Sequence, residues 1–92
     1  MTNLLLFFTN KTIAVSDWQN GTDYTNYPYY ADIACSGVTE NYYPEVIFYP
    51  DDAVSGYFAP ICESATGKVR IFASDIPEEA ITVPTIKCTK AG

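Results

Sequence analysis

Apolar and polar positions alternate along several short stretches of this chain, and each such stretch predicts a strand. In Tyr29–Cys35, Tyr29, Ala31, Ile33 and Cys35 share one face, with Tyr30, Asp32 and Ala34 on the other. Asp32 marks its face as the wetter one, because an unpaired charge is costly to bury. Val69, Ile71 and Ala73 likewise oppose Lys68, Arg70 and Phe72. Glu45–Tyr49 is an apolar run bounded by Pro44 and Pro50, again a strand. Asp51 or Asp52 is placed to cap a helical turn over Ala53–Phe58, which Gly56 and Pro60 keep short. Pro60–Glu63 is extended, and Ala65–Lys68 turns the chain back into Val69–Ala73.

The two ends are less regular. Leu4–Phe8 is apolar without alternation, which predicts cover on both faces, by another subunit or another protein. Thr9-Asn10-Lys11 reads as a turn into a second strand, Thr12–Val15, so that the two form a hairpin. Ala80–Cys88 reads as the last strand, but Ile81 and Val83 have the opposite parity from Ile86 and Cys88. Pro84 has no N–H for a ladder, so the strand is an edge there or is bulged, and a bulge brings both pairs to one side. Residues 89–92 read as a frayed tail.

The count is six or seven short strands and one helical turn near 52–58, which predicts an all-β fold, a small antiparallel β-sandwich. Residues 1–92 form a single domain, with an N-terminal strand or anchoring hairpin at 1–15 and the sandwich body at 16–88. A domain this short has a modest core and gains from neighbouring subunits.

Charge narrows the partners. The net charge is −6, with five Lys plus Arg, so the basic footprint that nucleic acid requires is missing. Anionic membrane surfaces repel such a chain, and the apolar run near Met1 is too short to span a bilayer. That run also lacks the basic region of a secretory signal, so Asn10-Lys11-Thr12 and Asn20-Gly21-Thr22 are read as chance glycosylation matches. Cys35, Cys62 and Cys88 have no metal-binding spacing and read as reduced core thiols, a Cys62–Cys88 bridge being the alternative.

No enzyme is legible. The chain has no His, no phosphate-cradling glycine loop and no nucleophile elbow. Asp51-Asp52 and Glu78-Glu79 read as a helix cap and a solvated turn rather than a glycosidase pair. Asp17, Asn20 and Asp23 fit no calcium loop, and no metal or cofactor is expected. The tyrosines are the positive signal, since a flat apolar body with a polar tip suits interfaces. Trp18 reads first as a plug at one end of the core and second as a sugar-stacking surface.

One pattern runs across these elements: Trp18; Tyr29-x-x-x-Ile33-x-Cys35-Ser36-Gly37-Val38-Thr39-Glu40; Val46–Pro50; the helical Ala53–Phe58; Ile61-Cys62-Glu63; Gly67–Phe72; Pro77-Glu78-Glu79; Ile81-Thr82-Val83. In order and spacing, from about Val15 to Cys88, it resembles a small β domain of appendage proteins of phages and prophages of Gram-positive bacteria. These are tail-fibre, head-fibre and baseplate-associated proteins. The resemblance implies a non-enzymatic virion protein, assembled in the host cytoplasm, homo-oligomeric (a trimer favoured) and in contact with other virion proteins. Trp18, Tyr24, Tyr27, Tyr30, Tyr42 and Tyr43 are the candidate interface residues, and Leu4, Leu5, Leu6, Phe7 and Phe8 the candidate anchor strand. The alternative function is a carbohydrate-binding module that stacks Trp18, Tyr24, Tyr27 and Tyr30 on a host surface glycan.

Overall fold

The computed structural model describes residues 5–90. Seven strands account for most of them: β1 (Leu5–Ile13), β2 (Gln19–Asn20), β3 (Tyr29–Ala34), β4 (Tyr42–Ile47), β5 (Phe58–Ala65), β6 (Lys68–Ala73) and β7 (Ile81–Lys90). They form two antiparallel sheets, a three-stranded one in the order β1-β7-β4 and a four-stranded one in the order β2-β3-β6-β5. The core joins their inner faces, with Ile13, Val83, Ile86 and Cys88 from the first meeting Ala31, Ile33, Val69 and Ile71 from the second. Burying each such aliphatic side chain contributes about 1.5–3 kcal/mol, and this apolar layer holds the sheets together. The fold is the small β-sandwich that the alternation predicts.

The central hairpin follows the sequence closely. Tight pairing of Ala65 with Lys68 leaves Thr66 and Gly67 as the two-residue turn. Gly67 has φ 73°, a conformation that costs a side-chain-bearing residue steric strain. The turn is also stapled to the β3–β4 connection: Gly67 N–H donates to Val38 C=O at 2.7 Å, and Cys35 N–H to Gly67 C=O at 2.8 Å. In β5 the register shifts between Phe58 and Cys62, around Pro60, which has no N–H to pair.

Three expected elements are placed differently. The helical turn lies at Pro50–Ala53, not at Ala53–Phe58. Pro50 takes the first helical position, where a missing N–H costs nothing, and Tyr49 is the N-cap. Asp51 and Asp52 therefore sit inside the first turn, and no side chain caps it. Thr89 and Lys90 are not a frayed tail: they pair with Leu5, Tyr43 and Tyr42 within β7. Residues 91–92 lie outside the described ones.

The largest difference is at the start. In place of a hairpin, residues 5–13 form one strand that pairs with β7 over its whole length, from Leu5 opposite Thr89 to Ile13 opposite Ile81. Asn10 has φ 53° within it. Asn tolerates the left-handed region, so the expected turn becomes a kink in a continuous strand. The kink faces Pro84, where the ladder is interrupted between Thr9–Thr85 and Lys11–Val83. At this point the buried face changes parity in both strands together. Leu6 and Phe8 pack on the core before it and Ile13 after it; in β7, Ile81 and Val83 are buried before Pro84, and Ile86 and Cys88 after it. Both β7 pairs thus reach one side, as a bulge at Pro84 predicts, by a matched irregularity in two strands. β7 is the central strand of its sheet, yet β4 stops at Ile47 opposite Thr85, so among the described residues none pairs with Pro84 on the β4 side.

Candidate functional site

The outer face of the three-stranded sheet is a regular array, fixed by the pairing register. Leu5, Thr89 and Tyr43 form one row, Phe7, Lys87 and Glu45 the next, and Thr9, Thr85 and Ile47 the third. Four of these nine positions hold large apolar side chains open to solvent: Leu5, Phe7, Tyr43 and Ile47, with Phe7 59% and Tyr43 69% exposed. Leu5 and Phe7 stand together on one outer strand and Tyr43 and Ile47 on the other, flanking Lys87 and Glu45, and exposed apolar groups rimmed by polar ones are the kind of surface that partners bind. Of the candidate anchor residues, Leu5 and Phe7 lie on this outer face, whereas Leu6 and Phe8 turn inward onto the core. Leu4 lies outside the described residues.

The outer face of the four-stranded sheet is polar and tied together. Asp32 Oδ1 accepts from Arg70 Nε at 2.7 Å and Asp32 Oδ2 from Arg70 Nη2 at 3.0 Å, with Lys68 Nζ at 3.3 Å. The hydrogen bond from Arg70, with the two nearby positive charges, holds the Asp32 carboxyl below its ordinary range against the opposing effect of burial. The Arg70 guanidinium also lies 4.0 Å over the Tyr30 ring, and Tyr30 Oη donates to Gln19 Oε1 at 3.2 Å. Gly21 is required beneath that ring, because a Cβ there would come within 2.8 Å of Tyr30 Cδ1. Tyr24 covers Phe72 edge-on, with centroids 4.7 Å apart, and donates from Oη to Glu63 Oε2 at 2.8 Å. That bond raises the Tyr24 phenol above its ordinary pKa. The sheet therefore brings Tyr24 and Tyr30 to one face; Tyr27 is half-buried in the loop that leads into β3.

Trp18 and Tyr42 belong to the interior. Trp18 is 6% exposed, stacks on Phe58 with centroids 6.0 Å apart, and so continues a ring series to Phe48. Its Nε1 is buried with no hydrogen-bond partner among the described residues. The ring fills one end of the core and has no free face for a sugar. Tyr42 is 7% exposed, and its carbonyl accepts from the Ser64 hydroxyl. The aromatic partners Phe48 and Phe58 are not singled out by the sequence reading; the signal available was their position at the ends of two apolar runs.

The remaining polar groups are explained locally. Asp17 accepts from Ala14 N–H at 2.8 Å, closing the 3₁₀ turn at Val15–Asp17. Among the described residues no group of three His, Cys, Asp or Glu is placed to hold a metal. Asp52, Glu78 and Glu79 line an open groove of about 500 Å³ together with Tyr57, Phe58 and Ile81. Cys35, Cys62 and Cys88 are free thiols. Burial pushes all three up, Cys88 to about 11, so little nucleophilic thiolate exists at neutral pH. Cys62 S–H also donates to Pro44 C=O at 3.4 Å.

No protein-family model, curated protein or solved structure matches the chain.

Proposed function

We propose that this chain is a non-enzymatic assembly module, a structural or appendage protein of a phage virion that acts as a decoration, head-fibre or tail-fibre element. The observation that carries the reading is the outer face of the three-stranded sheet, where Leu5, Phe7, Tyr43 and Ile47 stand in solvent on a rigid ladder. A surface of this kind suits association with other protein rather than turnover of a small molecule. The phage context is supported by the order and spacing of elements between Val15 and Cys88.

The carbohydrate reading keeps one favourable feature, the half-exposed Tyr24 and Tyr30 on the opposite sheet. Both are engaged, however, by Glu63 and Phe72 or by Gln19 and Arg70. Trp18, its strongest stacking residue by type, is inside the core.

Antibodies raised against the purified chain test the proposal on phage particles from a host that carries the gene. Gold label on intact, gradient-purified particles is the expected result. Chain confined to the particle-free lysate overturns it, and saturable glycan-array binding lost on Tyr30→Ala with folding intact shifts the function to the carbohydrate reading.

A further inference from the structure

Two strands edge the three-stranded sheet and two edge the four-stranded one, and three of these four edges are blunted. β2 is two residues long, β4 carries Pro44 and Glu45, and β5 carries Pro60 and a register shift. Such devices keep unpaired N–H and C=O groups from recruiting another strand. β1 has none of them before its kink at Asn10: Leu5–Thr9 is uncharged and free of Pro, Gly and positive-φ residues.

We propose that the β1 edge pairs with β1 of a second copy of this chain, antiparallel about a two-fold axis at Phe7. The inference rests on the reading of the chain as an assembly module. The pairing places Phe7 against its own symmetry mate, Leu5 against Thr9 of the second copy, and Leu6 against Phe8 of the second copy. Every contact is then made twice, as a two-fold interface requires. Outward Leu5 and Phe7 gain cover on the outer face, and inward Leu6 and Phe8 extend the core across the axis. The two three-stranded sheets become one continuous six-stranded sheet.

Charge favours this edge. The chain carries −6 and eleven carboxylates, so most of its surface repels a second copy. β1 and β7 contain none of those carboxylates. The cation nearest the axis row is Lys87, opposite Phe7 in the register. It lies three strand spacings, about 14 Å, from its mate, beyond the reach of screened surface charge. The interface is small, below about 1,200 Å² in total, so the dimer dissociates on dilution.

Sedimentation equilibrium of the intact chain tests the pairing. The wild type is expected as a monomer–dimer equilibrium. Phe7→Lys weakens dimerisation by about tenfold or more, by placing two charges on the axis and removing a ring pair. Tyr43→Lys, on the same face but at the far edge, leaves it unchanged. Circular dichroism verifies that both variants fold, and a third variant, Phe7→Cys, reads the register: under mild oxidation it forms a covalent dimer. A wild-type monomer at all concentrations, a trimer mass, equal loss in Phe7→Lys and Tyr43→Lys, or no cross-link in Phe7→Cys each overturns the proposal. A monomer that still labels on particles removes only this pairing; a dimer absent from particles removes only the virion role.

Discussion

Asp32 shows how one residue links the sheet to solvent pH. Its carboxylate takes two bonds from Arg70 and one from Lys68 on the neighbouring strand. Because the folded state holds it below its ordinary pKa of 3.8, its stabilisation is complete above that value and is lost as pH falls through the depressed one. Asp32→Asn is therefore expected to cost about 1 kcal/mol at neutral pH, as a partly exposed charged hydrogen-bond set does. In urea titrations the gap from wild type should close below about pH 4, and a gap that persists at acid pH contradicts this role. Trp18 gives a second test at this scale. As a core ring, Trp18→Ala should cost about 3–5 kcal/mol and lower the thermal midpoint, where a surface stacking residue would leave stability nearly unchanged. The thiols give a third: native protein should react slowly with a disulfide reagent at neutral pH, and Cys62, the one half-buried thiol, should react first.

The pairing of Asn10 with Pro84 is where an element departs from its sequence pattern. Alternation made β3, β6 and the inward set of β7 legible, since one face of each is buried and a single-residue slip would move every side chain across the sheet. A turn signal, not alternation, misread the start of the chain. Thr9-Asn10-Lys11 has turn chemistry, and local chemistry cannot distinguish a hairpin from a kink that keeps the strand extended; β7, ten residues long and some seventy positions away, decides it. The four-residue helical turn was found by its Asp signals but three residues late, because Pro50 was read as a strand boundary rather than as the first helical position. Of the candidate surface, Tyr43 was legible from type alone, whereas the partition of Leu5 and Phe7 from Leu6 and Phe8 needed the register. The kink makes its own prediction: Asn10→Gly should be close to neutral, and Asn10→Val should cost about 1–2 kcal/mol, since a β-branched residue resists left-handed backbone. Chemical denaturation of both variants measures the difference, and equal stability would show that the strand runs through without the kink.

At the scale of the whole molecule the two sheets differ in their outer faces. The four-stranded sheet ties its outer face with ion pairs, ring contacts and hydrogen bonds, and so presents a finished surface. The three-stranded sheet leaves Leu5, Phe7, Tyr43 and Ile47 uncovered beside an unblunted edge. A domain of this size buries a limited share of its surface alone, so the proposed association through that sheet would add to its stability. Amide hydrogen exchange across a concentration series tests the role of that sheet most directly, residue by residue. Protection of the Leu5–Thr9 amides that rises with protein concentration, while the β3 and β6 amides stay constant, is the predicted result. Exchange of the Leu5–Thr9 amides that is the same at every concentration would contradict it.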